Sequence, residues 1–232
     1  MFVDFKVDGK TVVVVGGGSE GYRKIQNFLD STAEITVVSK EFSEGIKTVA
    51  SQGKIILKQG QIGDVKNFIE QLKPKPDMLL AVTDNSELNS QLVKAAKAVG
   101  CIVYCVTDSS LCDFIFPAVA RVGDVKISVS TGGRSPAIAK ELRQRIEEFI
   151  TLEDLLGIEL QAYLRELFKN SISDQRLRSK FLNEIVNNID IKQALKEGNI
   201  CVAKELAIKF VQNKEEKNDE LSNCTYEKIT QN

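Results

Sequence analysis

The stretch "TVVVVGGGSEGYRK", Thr11 to Lys24, decides the fold. Four consecutive valines that end in a turn read as a strand buried on both faces. Within "GGGSEG", Gly16, Gly18 and Gly21 fit the spacing G-x-G-x-x-G, with Ser19 and Glu20 inside it. "GYRKIQNFLD" then carries Ile25, Phe28 and Leu29 at helical spacing. A strand, a glycine turn and a helix in that order place backbone N–H groups and a helix dipole where a diphosphate can sit. The three glycines would allow the tight turn, the close approach of the diphosphate, and the close packing of helix on strand. A tight turn without a ligand fits the same glycines. The buried strand before them and the helix after them favour the nucleotide.

Working outward, the pattern repeats. "AEITVVSK", "GKIILKQG", "DMLLAVT" and "CIVYCVT" read as four more strands. "FSEGIKTVAS", "GDVKNFIEQL" and "NSELNSQLVKAAKAVG" read as the helices between them, the last with Gly100 just past its end. Strands alternating with helices imply right-handed crossovers and a parallel sheet. The expected fold class is therefore α/β, a doubly wound Rossmann-like sheet in the order 3-2-1-4-5. Its ligand crevice should lie at the strand C-termini.

After residue 113 the pattern changes. "FIFPAVARV" and "VKISVST" flank "GD", a two-residue hairpin turn. Val125, Ile127 and Val129 alternate with Lys126, Ser128 and Ser130, so one face is apolar. Pro117 suits only an edge position. A two-stranded hairpin is marginal alone, so it must pack on something, for instance a second copy. "SPAIAKELRQRIEEFI" is a helix with Ser135 as cap and Pro136 at the first position, and its stripe is Ile138, Leu142, Ile146, Phe149 and Ile150. Four helical patterns follow to Gln212. The expected domains are 1–113, dinucleotide-binding; 114–150, a dimerisation and substrate segment; 151–212, a small helical C-terminal domain; and 213–232, a polar disordered tail.

Composition excludes several classes. The net charge of −1 offers no basic field for nucleic acid or an anionic membrane. No apolar run reaches the roughly 18 residues of a membrane span. "MFVDFKVDGK" has no charged-then-apolar signal layout, so a cytoplasmic protein is the expectation. Cys101, Cys105, Cys112, Cys201 and Cys224 form no C-x-x-C pair and read as free thiols, with Cys101 and Cys105 as buried small hydrophobes. The absence of histidine excludes Ser–His and Cys–His catalysis and any histidine-ligated metal.

Beyond the first loop, four places carry candidate chemistry. At the end of the second strand, where a carboxylate for the adenosine ribose is expected, the chain has Ser39 and Lys40 before Glu41. This weakens strict NAD preference and would tolerate a 2′-phosphate. After the fourth strand, Thr83 and Asp84 would face the crevice, while Asp84, Asn85 or Ser86 caps the next helix. After the fifth, Asp108 could act as a base or merely hold a turn, and Asp113 stands five residues on. In "STGGRSP", Ser130 to Pro136, the amides of Gly132 and Gly133, the Arg134 guanidinium and a helix N-terminus converge as an anion site would need. The same loop also fits a plain hairpin-to-helix connection.

Taken together, "VVVVGGGSEGYRK", "AVTDNSELN", "LCDFIFPA" and "VSTGGRSPAIAKELR" resemble the precorrin-2 dehydrogenase module of siroheme biosynthesis, in order and spacing, from about Val7 to Ile150. The resemblance implies an oxidoreductase that oxidises precorrin-2 to sirohydrochlorin with NAD, as a homodimer joined through the middle segment. It implies dinucleotide contacts near Ser19, Glu20, Lys40 and Glu41, and substrate contacts from Thr131, Gly132, Gly133, Arg134 and Ser135. Some relatives carry a phosphorylated serine where Thr131 stands, which makes Thr131 a candidate for modification. The family's catalytic aspartate follows the fifth strand. An ungapped count back from Phe114 puts it on Thr107, and a one-residue deletion puts it on Asp108. We take Asp108, because a threonine cannot serve as the base. Two alternatives are carried: a bifunctional enzyme that also inserts ferrous iron as a ferrochelatase, and a nucleotide-sensing regulatory module that would need neither "CDFIFPA" nor "STGGRSP".

Overall fold

The computed structural model describes the backbone of residues 3–229 and the side chains as far as Lys214. Strand β1, Thr11–Val15, is the centre of the sheet, and Val12 to Val15 are no more than 3% exposed. Each fully buried valine contributes on the order of 1.5–3 kcal/mol. The sheet adds β2 (Glu34–Ser39), β3 (Ile56–Gln59), β4 (Met78–Ala81) and β5 (Ile102–Cys105). All pairings are parallel and the order is β3-β2-β1-β4-β5, the expected one.

Helices α1 (Ser19–Ile25), α2 (Glu44–Ser51), α3 (Val65–Gln71) and α4 (Ser86–Ala98) connect the strands. Because the strands are central, both faces carry apolar clusters, one around Val12, Val14 and Leu80, the other around Val13, Leu79 and Val103. α1 is shorter than its periodicity predicts. From Gln26 the chain runs in tight turns, with Phe28 N–H bonded to Ile25 O at 2.9 Å, which keeps Phe28 in the core without a further helical turn. α4 ends as expected, with Gly100 at φ +79° just past the Val99 cap.

The described residues divide into two compact units, one as far as Phe116 and the other from Pro117. The hairpin segment and the helical region, read separately from sequence, thus fall in one unit, and the first runs three residues further than expected. In the second unit, β6 (Ala118–Val122) and β7 (Val125–Val129) pair antiparallel. Gly123 alone carries positive φ at the turn, +55°, the mark of a type II′ turn. Val125, Ile127 and Val129 are half-buried while Lys126 and Ser128 are exposed, the alternation that the sequence predicts.

α5 (Pro136–Phe149) packs on this hairpin. Its apolar stripe is only partly covered: Ile138 is 49% and Phe149 79% exposed. α6 (Leu152–Ser171), α7 (Gln175–Val186), α8 (Ile189–Lys196) and α9 (Ile200–Ile229) share a core of Leu160, Leu164, Phe168, Phe181, Ile185 and Ile191. Thr151 and Asp154 close a full capping box at the start of α6. Where a polar disordered tail was expected, from residue 213, the backbone runs on as helix as far as Ile229. A Lys- and Glu-rich sequence without glycine or proline has nothing to stop a helix already running. The rest of that tail, 230–232, lies outside the described residues.

Candidate dinucleotide site

A cavity of about 1070 Å³ opens at the C-terminal ends of β1, β2 and β4. Its floor is the loop after β1. Gly16 sits at φ +127°, and a Cβ there would stand 2.5 Å from Val82 O. A Cβ on Gly17 would stand 2.2 Å from Glu41 O, and one on Gly21 2.2 Å from Gly16 O. Gly18 differs: nothing lies within 4 Å of where its Cβ would be. Three of the glycines therefore let backbone pack on backbone, and Gly18 keeps the cavity floor clear. Sequence reading passed over Gly17, although the run of three glycines was its visible signal. It brings the loop against the end of β2, where Ser43 N–H also donates to Gly17 O at 2.8 Å.

Gly16, Gly18, Ser19, Glu20, Lys40, Glu41, Thr83 and Asp84 all line this cavity, while Gly21 packs beneath it. Glu20 bonds to Arg23 at 2.6 and 2.9 Å and lies 3.4 Å from Lys24 Nζ. Burial works against its ionisation, but the Arg23 hydrogen bond and the two cationic charges prevail and hold the carboxyl below its ordinary value. The far wall was not expected: Gly60, Gln61, Ile62 and Gly63, from the loop after β3, face Leu88 and Gln91 of α4. The glycines bounding "GQIG" were the available signal.

The cavity suits a dinucleotide. It has an open glycine floor that a Cβ at Gly18 would intrude upon, and polar walls at the ends of β2 and β4.

At the end of β4, Asn85 rather than Asp84 or Ser86 caps α4, accepting from Leu88 N–H at 3.0 Å. Asp84 is left exposed at the cavity. Thr83 is bound on three sides by Asn89.

At the end of β5, Asp108 is exposed and not part of the cavity wall. Its Oδ1 accepts from Ser110 Oγ at 2.7 Å and Ser110 N–H at 2.9 Å, starting a 3-10 turn over Ser109–Leu111. The Ser110 hydroxyl and then its N–H hold this carboxyl below the ordinary range. Thr107, in the other register, has its hydroxyl 3.4 Å from Asn89 Nδ2 and 3.4 Å from Cys105 Sγ.

The "LCDFIFP" segment has a clear structural task. Asp113 and Cys112 bond to Val103 and Cys105 and so cover the open edge of β5. Phe114 and Phe116 then stack on Tyr104 at 5.9 and 5.0 Å between ring centroids. The buried Lys24 ammonium sits 4.6 Å from the Tyr104 ring and 4.7 Å from that of Phe116. Cys101 and Cys105 are buried as expected. Burial pushes the Cys101 and Cys112 thiols up, away from nucleophilic use.

In the second unit one loop gathers the remaining candidates. Gly132 and Gly133 both have positive φ, +61° and +78°, with open space around them. Thr131 Oγ1 accepts from Ser135 N–H and donates to Ser135 O, both at 3.1 Å, so its hydroxyl is engaged on both sides. Ser135 caps α5 through Ile138 N–H, and Arg134 is exposed.

Comparison with known proteins agrees with this geometry. Residues 3–118 match the family model described as "Putative NAD(P)-binding", and residues 122–148 the one described as "Sirohaem biosynthesis protein central". The chain is 35% identical to the "Putative precorrin-2 dehydrogenase" of Methanocaldococcus jannaschii, covering 82% of this chain and 91% of that one. It is 30% identical to the "Precorrin-2 dehydrogenase" of Methanosarcina barkeri, covering 78% and 80%. The "Siroheme synthase" of Hydrogenovibrio crunogenus is also 30% identical, over 82% of this chain but only 40% of that protein. Among solved structures, "SirC, precorrin-2 dehydrogenase" superposes with a TM-score of 0.72 over 90% of this chain and 99% of that one, at 21% identity, a likeness of fold.

Proposed function

The chain belongs to the precorrin-2 dehydrogenase family of siroheme biosynthesis, and we propose that it oxidises precorrin-2 to sirohydrochlorin in the cytoplasm, with NAD as hydride acceptor. The observation that carries this reading is the joint presence of the glycine-floored cavity and the sirohaem-type central segment in one chain. Bound in the cavity, a nicotinamide dinucleotide supplies the acceptor for the hydride that the tetrapyrrole loses. Gly18 leaves room for a diphosphate, which the amides at the start of α1 would hold. Thr83 and Asp84 would bound one ribose, and Lys40 and Glu41 the other. Asp108, ionised at neutral pH and with Oδ2 free of hydrogen bonds among the described residues, takes the released proton.

Precorrin-2 carries eight carboxylates. Gly132, Arg134 and Ser135 N–H donate within the loop, to Ser130 Oγ, Thr131 O and Thr131 Oγ1; the exposed Arg134 guanidinium and the Gly133 N–H suit such an anion, and we assign the Thr131–Ser135 loop to the substrate. Two open edges on the β6–β7 hairpin and the exposed Ile138 and Phe149 support a homodimer built through this segment. No helix among the described residues is long and apolar enough to cross a membrane.

The test is anaerobic: purified protein, precorrin-2, and NAD⁺ or NADP⁺ in parallel. Sirohydrochlorin absorbance should appear with NAD⁺. Its absence under conditions where an authentic precorrin-2 dehydrogenase works refutes the reading. A second reading, iron insertion, is favoured by the siroheme synthases among the relatives, though the chain spans 40% of the one described. Fe²⁺ added with sirohydrochlorin must then be consumed faster than it is without protein.

A further inference from the structure

Among the described residues the buried polar or charged side chains are Lys24 and Asn89, and Asn89 is 0% exposed. It projects from α4, the crossover helix between β4 and β5, into the notch between their C-terminal ends. Its Oδ1 accepts from Thr83 N–H at 3.1 Å and from Thr83 Oγ1 at 2.7 Å. Its Nδ2 donates to Thr83 O at 2.9 Å and reaches Thr107 Oγ1 at 3.4 Å. Both acceptor sites and both donor hydrogens are therefore used. The orientation of the amide is unambiguous, because Thr83 N–H can only donate and Thr83 O can only accept.

Thr83 lines the dinucleotide cavity, yet its N–H and C=O are turned to Asn89, and its hydroxyl is shared between Asn89 Oδ1 at 2.7 Å and the Asn85 backbone at 3.2 Å. The cavity wall after β4 is thus set from behind, by the crossover helix, before any ligand arrives. We propose that Asn89 is a positioning residue for the dinucleotide, holding the Thr83–Asp84 wall in its binding form and tying that wall to Thr107 at the end of β5. This rests on reading the cavity as the dinucleotide site. Without the amide, the N–H and C=O of Thr83 must find water while its hydroxyl keeps only Asn85, the wall samples other conformations, and binding must pay for its ordering.

The test measures dinucleotide Kd by titration in the absence of tetrapyrrole, for wild type, Asn89→Ala, Thr83→Val and the double variant. Asn89→Ala should weaken binding about tenfold, as loss of a buried hydrogen-bond hub does. The double variant should lose less than the sum of the two singles, since both changes remove the Thr83 Oγ1–Asn89 Oδ1 bond. In steady state, KM for the dinucleotide should rise while kcat at saturation stays within about twofold, the signature of lost binding rather than lost chemistry. Should Asn89→Ala fail to fold, Thr83→Val must bind several-fold more weakly than wild type, with Thr83→Ser restoring it. A folded variant with unchanged Kd, or additive losses in the double variant, overturns the positioning role alone. A wild-type protein that binds neither NAD⁺ nor NADP⁺ instead overturns the reading of the cavity.

Discussion

Asp113 clasps Val103 with both ends of its own residue: its N–H donates to Val103 O at 3.0 Å, and its Oδ2 accepts from Val103 N–H at 2.9 Å. A side chain and a main chain together thus complete the outer edge of β5, which no further strand covers. Oδ1 is held by Lys97 Nζ at 2.8 Å. Asp113→Ala leaves the Val103 amide to water and should cost about 1–2 kcal/mol in urea unfolding. Lys97→Met should cost well under about 1 kcal/mol, because that pair is partly exposed. An Asp113→Ala variant as stable as wild type would mean that the edge is closed by Cys112 alone.

The four glycines of the loop separate into two kinds. Gly21→Ala puts a methyl 2.2 Å from Gly16 O, so α1 must move off β1, and thermal unfolding should show a clear loss of stability. Gly18→Ala meets nothing within 4 Å and keeps an ordinary φ of −79°, so stability should be unchanged. Its methyl enters the cavity, however, and should weaken dinucleotide binding by about tenfold or more. Titration beside a melting curve separates the two. Equal affinity in Gly18→Ala would remove the diphosphate from that floor.

Legibility from sequence followed how local the cause was. β1 and its glycines were legible because burial on both faces and close backbone contact each restrict residue type at single positions. The sheet order followed from handed crossovers. Asp113 was not legible as an edge clasp, since its partner Val103 lies ten residues away on another element. The short α1 was missed for a related reason: Phe28 keeps helical spacing while its backbone has already left the helix. The helical backbone after residue 213 was not legible, because polar composition without an apolar stripe suits a continuing surface helix as well as a coil. Asn89 looked like one more polar residue in "NSELN", and only its zero exposure shows that it is a hub.

Acid should act on the first unit through depressed carboxylates. Thr11 N–H and the Lys10 ammonium hold Asp77 below its ordinary value. Glu20 is held down by Arg23 and Lys24 against the opposing effect of burial. A carboxyl depressed by folding adds stability that is present above its unfolded value, about 4, and is lost as pH falls through the folded one. Stability should therefore decline below about pH 4, and Asp77→Asn or Glu20→Gln should flatten that decline while lowering stability at pH 7. Urea titrations at successive pH values read this directly. Parallel curves for wild type and both variants would place the acid sensitivity elsewhere.

Asp108 and Ser110 give the sharpest test of the chemistry. One oxygen, Oδ1, takes both Ser110 bonds, and these keep the carboxyl ionised well into acid. Asp108→Asn removes the proton acceptor while an amide oxygen can still cap the turn, so turnover should fall by about 10²-fold or more with dinucleotide Kd unchanged. Ser110→Ala should keep turnover at neutral pH but move the acid limb of kcat upward, toward the ordinary aspartate value of about 3.9, because the hydroxyl that lowers the carboxyl is gone. An acid limb that ignores Ser110, together with full turnover in Asp108→Asn, would assign the proton to another acceptor.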